Sequence, residues 1–289
     1  VFDPMSSVNN RLPEFLIVGA MKSATTTLFE DLATHPMVHE PLEKEPGNLC
    51  SDDVLSSEGK DKYARIFCQA QSNQLTFEAS TYYTMRPDIE GVAQRAKTLM
   101  GENLKVIYLV REPISRVVSH HAHAHAAGDC GADINKEIQQ FERLINYSKY
   151  YYQIEPWLTA FGESNVFILT QEYYGKHRLE AVAALQFFLG LEPRVDLIEA
   201  NWIGNRRTTL VKDTALSQVF RNSALYKRGI RPFLSPSMRG KWKGFFMKKI
   251  ARPMAEASPQ TRAYIAAETR EDVSKLAPYV RLKEARGWV

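Results

Sequence analysis

Apolar positions along this chain follow two alternating rhythms. Short continuous runs read as strands buried on both faces: Phe15-Leu16-Ile17-Val18, then Leu75-Thr76-Phe77-Glu78-Ala79-Ser80, then Lys105-Val106-Ile107-Tyr108-Leu109-Val110, then Val166-Phe167-Ile168-Leu169. Between them the spacing becomes helical. Leu28, Phe29 and Leu32 share one face, and that helix is expected to end by His35-Pro36 because proline disfavours helix in the residue before it. Helices are also predicted around Tyr63 to Ala70, over 88–100, from Ile114 to about Ala127 with Gly128 as C-cap, over 136–161, and from Leu179 to Leu189 before Gly190. Residues 1–13 read as a loose N-terminal arm and 37–48 as a loop returning over the top of the sheet. Strands alternating with helices predict an α/β fold, a parallel central sheet flanked by helices, with its site at the C-terminal ends of the strands. After about residue 195 the pattern weakens, and there is no internal repeat.

The first strand runs into Gly19-Ala20-Met21-Lys22-Ser23-Ala24-Thr25-Thr26-Thr27 and then into a helix. A strand, a cationic turn and a helix N-terminus hold phosphate well, because free N–H groups and the positive end of the helix dipole face the anion. Lys22 adds a full charge, and Ser23, Thr25, Thr26 and Thr27 add hydroxyl donors. The turn is not a Walker A loop, since Lys22 comes early and Ala24 stands where a second glycine is expected. Taken alone, it also fits an ordinary strand–helix turn.

At 289 residues, 44% hydrophobic and 24% charged, the chain buries a full core and is not disordered. A net charge of +4 is too mild to point to nucleic acid. Cys50, Cys68 and Cys130 are odd in number and far apart, which argues against a disulfide framework or a zinc site and for a reducing compartment. A cytoplasmic location is expected, with the Golgi lumen as the alternative if the chain is a trimmed ectodomain. Asn146-Tyr147-Ser148 matches a glycosylation acceptor only by chance on that expectation.

Taken together, these motifs resemble the sulfotransferases that use 3′-phosphoadenosine 5′-phosphosulfate, in the branch of the heparan sulfate and bacterial enzymes. The resemblance spans most of residues 13–210. It implies one sulfotransferase domain over 1–289 with a P-loop-like fold: a donor-binding core over 14–210 and a helical C-terminal part over 211–289. The Lys22 turn is similar to the family's 5′-phosphosulfate loop, with Ser23, Ala24, Thr25, Thr26 and Thr27 as donors. Tyr108-Leu109-Val110-Arg111-Glu112-Pro113-Ile114-Ser115-Arg116-Val117-Val118-Ser119 is similar to its 3′-phosphate segment. There Arg111 forks onto the phosphate and Ser119 donates a hydroxyl, although Arg111 by itself equally fits a salt bridge. Glu43-Lys44-Glu45-Pro46 is similar to the stretch carrying the family's catalytic glutamate, which makes Glu45 the expected base. Phe77-Glu78-Ala79-Ser80-Thr81-Tyr82-Tyr83 resembles a strand end where heparan enzymes have a lysine at the position of Ala79. Glu78 fits a group that orients the acceptor or the base, and it is the second choice for the base; by itself it equally fits a carboxylate paired with a nearby cation. Gly204-Asn205-Arg206-Arg207-Thr208 loosely matches a loop closing over the 3′-phosphate and adenine, with Arg206 favoured over Arg207.

By analogy with phosphoryl transfer, the group moves in line. Lys22 steadies the leaving phosphate oxygen and Glu45 takes the acceptor's proton, with no metal needed. His39 is a minor alternative as base. His121 and His125 share a helix face, but two histidines make no convincing zinc site. From Thr214 to Ala255 there is no acidic residue, and basic side chains from Arg221 to Arg252 alternate with Trp242, Phe245 and Phe246. That stretch fits a solvated face, or a dock for an acidic carrier protein, an anionic glycan or a membrane surface. The acceptor is expected to offer a hydroxyl on a carbohydrate, lipid or polyketide-type molecule. A nucleotide kinase or P-loop hydrolase, and a non-catalytic donor-binding homologue, stay open as alternatives.

Overall fold

The computed structural model describes residues 11–198, 255–285 and 287–289, with the backbone of 211–212 and 248–249. The four strands expected from apolar runs form, as β1 (Phe15–Gly19), β3 (Leu75–Ala79), β4 (Lys105–Val110) and β5 (Val166–Thr170). Two further strands join them. β2 (Val38–His39) lies within the stretch expected as loop, and β8 (Val280–Leu282) lies within the part expected to be helical. The six-stranded sheet has the order β2-β3-β1-β4-β5-β8, and all its pairings are parallel. A separate antiparallel pair joins β6 (Val211–Lys212) to β7 (Lys248–Lys249).

Both sheet faces are covered, which is why the strands read as unbroken apolar runs. Phe15, Ile17, Phe77, Ile107, Leu109, Phe167 and Leu169 pack on one face against α1 (Thr25–Ala33) and α9 (Arg178–Phe188). Leu16, Val18, Val106, Tyr108, Val110 and Ile168 pack on the other against α3 (Val92–Met100) and α7 (Tyr150–Phe161).

Several helices depart from the expected limits. The one expected around Tyr63 to Ala70 is α2 (Ser57–Ala64), set earlier because Ser56 caps it by accepting from Gly59 N at 3.0 Å. The helix over 88–100 begins only at Val92, after Gly91 at φ 75°. The stretch 136–161 is not one helix but α5 (Ile134–Glu137), α6 (Arg143–Asn146) and α7. α4 (Pro113–Ala127) matches expectation, ending on Gly128 in the left-handed region at φ 90°. α8 (Gln171–Lys176) follows β5 directly, and α10 (Pro259–Leu276) precedes β8.

Candidate functional site

Three neighbouring strand ends converge. β1 lies between β3 and β4, so the turn after β1 meets Ser80 on one side and Arg111 on the other. The turn after β1 is tightly seated: Ala20 N donates to Leu109 O at 2.7 Å and Ser23 N to Ala20 O at 3.2 Å. Gly19 has no room for a side chain, since a Cβ there would lie 2.1 Å from Thr84 Oγ1, which is fixed by its bond to Val18 O at 2.9 Å. Lys22 at φ 71° and Ala24 at φ 69° both adopt left-handed backbone, which curls the turn around the start of α1.

That helix start is prepared for an anion. Ala24 supplies no side-chain cap, and the first turn of α1 holds no acidic residue. Its leading N–H groups therefore keep the positive end of the dipole uncompensated by the helix itself. The Ser23 hydroxyl is buried and has no hydrogen-bond partner among the described residues. A buried hydroxyl is normally satisfied, so this orphan fits a ligand with acceptor oxygens. Thr25 and Thr27 are buried and Thr26 is half-buried.

Two more cations reach the turn. Arg111 Nη1 donates to Lys22 O at 3.3 Å, and its own carbonyl accepts from the Tyr150 hydroxyl at 2.6 Å. Lys44 Nζ donates to Thr26 Oγ1 at 2.6 Å and sits 5.6 Å from the centre of the Phe29 ring. In the sequence, Lys44 stood out only as a neighbour of Glu45. Its place beside Thr26, one residue type in a run of hydroxyls, required the fold of the 37–48 segment.

Ser119 is half-buried on α4, one turn beyond Ser115. On the same helix His120 is pushed down to about 2 by burial, then by Arg116, His123, Lys22 and Arg143. His120 thus lies inside the protein as a neutral ring, stacked on Tyr147 at 5.6 Å, and not on the solvated face. Arg116, also fully buried, donates to Ser148 Oγ at 2.5 Å and Leu144 O at 2.6 Å. His121 and His125 are turned to the backbone carbonyls of Gly131 and Cys130, each at 3.0 Å. No group of three metal-ligating side chains occurs among the described residues.

The two expected carboxylates take different positions. Glu45 is half-buried at φ 55°, in a loop tied to the end of β3 through Glu45 N to Ala79 O at 3.1 Å. Glu78 lies beneath that loop with 0% exposure, its oxygens bonded to Ser80 and Tyr63. Its carboxylate is enclosed by these hydroxyls, whereas Glu45 keeps part of its surface exposed. His39, on β2, carries a buried Nε2 without a partner among the described residues, and burial holds its pKa below the ordinary value. Arg206 and Arg207 lie outside the described residues.

Comparison with known proteins identifies the family and the fold. The family model described as "Sulfotransferase domain" matches residues 12–261. Mouse heparan sulfate glucosamine 3-O-sulfotransferase 5 is 23% identical over 252 residues, covering 82% of this chain and 69% of that protein. A fruit-fly bifunctional heparan sulfate N-deacetylase/N-sulfotransferase is 23% identical over 222 residues, 64% of this chain but only 20% of that protein. A sulfotransferase from Alicyclobacillus acidocaldarius has a similar fold, with TM-score 0.57 at 19% identity, covering 93% of this chain and 99% of that one.

Proposed function

Given that this chain belongs to the sulfotransferase domain family, we propose that it moves the sulfuryl group of 3′-phosphoadenosine 5′-phosphosulfate onto an acceptor hydroxyl, with Glu45 as the base. One observation carries the reading: the orphaned, buried Ser23 hydroxyl at the uncapped start of α1, flanked by Lys22 and reached by Arg111 and Lys44. Everything assembled there donates or is cationic, so a dianionic ligand supplies what the protein lacks.

In this reading the N–H groups and hydroxyls of Ser23, Ala24, Thr25, Thr26 and Thr27 hold the 5′ end of the donor. Arg111 and Ser119 hold its 3′-phosphate, and Arg206 and Arg207 belong to a closing loop by the family resemblance. The bound donor supplies a sulfuryl group on an activated phosphate linkage. Lys22 and Lys44 concentrate positive charge where the leaving phosphate oxygen becomes anionic, which is how fixed charges lower such a barrier. Glu45 accepts the proton of the acceptor hydroxyl. The acceptor is a hydroxyl-bearing carbohydrate, lipid or polyketide-type molecule; the basic 221–252 stretch, outside the described residues apart from the backbone of 248–249, is a solvated face or a candidate dock for an acidic carrier, glycan or membrane.

Titration calorimetry with 3′-phosphoadenosine 5′-phosphate tests the donor site. Lys22→Ala and Arg111→Ala are each expected to weaken binding about 10- to 100-fold, the worth of one charged hydrogen bond of roughly 1.5–3 kcal/mol. Glu45→Gln is expected to keep that affinity and to lose label transfer from the ³⁵S-donor by about 100-fold or more. Absence of nucleotide binding removes the reading. Binding of magnesium ATP in its place favours the kinase or hydrolase alternative. Binding without transfer in the unaltered protein favours a non-catalytic homologue.

A further inference from the structure

A buried carboxylate underlies the loop that carries Glu45. Glu78 sits on β3 among hydroxyls: Ser80 Oγ donates to its Oε1 at 2.5 Å and the Tyr63 hydroxyl to its Oε2, while the Tyr83 hydroxyl acts on the same carboxylate electrostatically. Burial pushes Glu78 above the ordinary carboxylate value, and these hydrogen bonds pull the other way.

Two of these hydroxyls also meet the loop. Ser80 Oγ accepts from Gly47 N at 3.2 Å, and the Tyr83 hydroxyl accepts from Leu49 N at 3.2 Å. A hydroxyl has a single hydrogen. Once that hydrogen is committed to the carboxylate, the oxygen can only accept on its other side, toward the loop. The polarity of the Ser80 relay is therefore set by Glu78, and the Tyr83 hydroxyl, which feels the same carboxylate, is placed to accept from Leu49 N. The loop needs such anchors, because Glu45 at φ 55° and Gly47 at φ 67° hold left-handed backbone on either side of Pro46.

We infer that Glu78 is a positioning residue: by orienting the Ser80 and Tyr83 hydroxyls toward the Gly47 and Leu49 N–H groups, it fixes the Glu45 loop against the end of β3. This rests on Glu45 being the base, as proposed above, and it gives a strand-end carboxylate a role without contact to the acceptor.

Glu78→Gln keeps the shape but replaces one acceptor oxygen with an NH₂ donor, which forces one hydroxyl to turn around. Hydrogen exchange at whichever of the Gly47 and Leu49 amides loses its oriented hydroxyl is expected to quicken about tenfold or more, the effect of losing roughly one hydrogen bond of 1–2 kcal/mol. Release of labelled sulfate from the ³⁵S-donor to water, which needs the same base, is expected to fall about 10- to 100-fold, as for a misplaced catalytic group. Affinity for 3′-phosphoadenosine 5′-phosphate should stay within about twofold, because the donor turn is anchored elsewhere. In a Glu45→Gln background, Glu78→Gln should add no further loss of sulfate release. Tyr63→Phe serves as the control. It disturbs the same buried cluster but leaves the Ser80 relay, so the Gly47 amide should stay protected.

The inference is overturned if folded Glu78→Gln leaves both amides protected, or if its loss of rate is the same with and without Glu45. If Glu78→Gln does not fold, Ser80→Ala decides: faster exchange at Gly47 alone supports the relay, and unchanged exchange overturns it. If Glu45→Gln keeps full sulfate release, the base assignment fails, while the exchange rates still decide whether Glu78 holds the loop.

Discussion

Glu30 shows how a single side chain reports its surroundings. It lies one turn past Thr26 on α1, and its Oε2 is buried without a partner among the described residues. Burial pushes its carboxyl up to about 7, with Lys44 pulling down and Asp31 and Glu40 pushing up. The folded state therefore holds the proton more tightly than the unfolded chain. The stability it contributes is intact below the unfolded value and is lost as pH rises toward 7. Glu30→Gln removes that loss. The variant should gain on the unaltered protein between pH 5 and pH 8 by about 1 kcal/mol, a figure discounted for partial exposure, as read from urea midpoints at the two values. An equal gap at both pH values would contradict the burial argument. At this scale the sequence marked Lys22, Ser23 and Arg111 as candidates, because each lies in the turn that ends an apolar run. It did not carry the Lys44–Thr26 bond or the depth of Glu78 and His120. Those depend on how segments distant in sequence pack, and a charged or imidazole side chain looks the same in sequence whether buried or solvated.

Among the elements, α1 governs the site, since the donor turn is only as rigid as the helix it opens. That helix is fastened at its middle. Asp31, with its side chain 3% exposed, takes two bonds from Arg178 of α9, at 2.8 and 2.5 Å, and another from the Tyr174 hydroxyl of α8. Removing one partner of a buried pair strands the other charge. Arg178→Ala is expected to cost about 3 kcal/mol, near the low end for such pairs because the guanidinium keeps some solvent contact. Chemical unfolding measures this, and a loss below about 1 kcal/mol would class the pair with exposed surface bridges. The strands β1, β4 and β5 were legible because burial on both faces writes a nearly unbroken apolar run, while β3 was legible as an alternation of Leu75, Phe77 and Ala79 with Thr76 and Glu78. β2 was not: two residues, of which only Val38 is buried, leave no period to read. The break in 136–161 was also hidden, because the connecting residues are as aromatic as the helices. Inside α7, Pro156 frees the carbonyl of Tyr152, and Arg86 Nη1 takes it up at 2.7 Å from a separate segment.

Across the whole molecule, the C-terminal part returns to brace the site that the first half forms. β8 pairs with β5 at the sheet edge, and Asp272 of α10 caps α7 by accepting from Tyr151 N and Tyr152 N, both at 2.8 Å. These ties join residues about 120 positions apart, so no local pattern announces them, which is why the signal beyond residue 195 looked weak. Trp288 makes the most consequential of them. Its Nε1 donates to Glu172 Oε2 at 3.0 Å, while Glu172 Oε1 accepts from Glu112 N at 2.9 Å. Its ring lies 5.7 Å from that of Tyr150, whose hydroxyl holds the Arg111 carbonyl. Both sides of the Arg111–Glu112 junction therefore lean on one indole, and with them the guanidinium assigned to the 3′-phosphate. Trp288→Ala should weaken 3′-phosphoadenosine 5′-phosphate binding by about threefold to tenfold, within the range for coupled neighbours, and Trp288→Phe, which keeps the ring but loses the N–H, by less. Calorimetric affinity and the unfolding midpoint must be read together. If the midpoint falls while affinity holds, Trp288 only stabilises the sheet edge. If affinity falls in Trp288→Ala but not in an Arg111→Ala background, the indole acts through Arg111, as the bonding pattern requires.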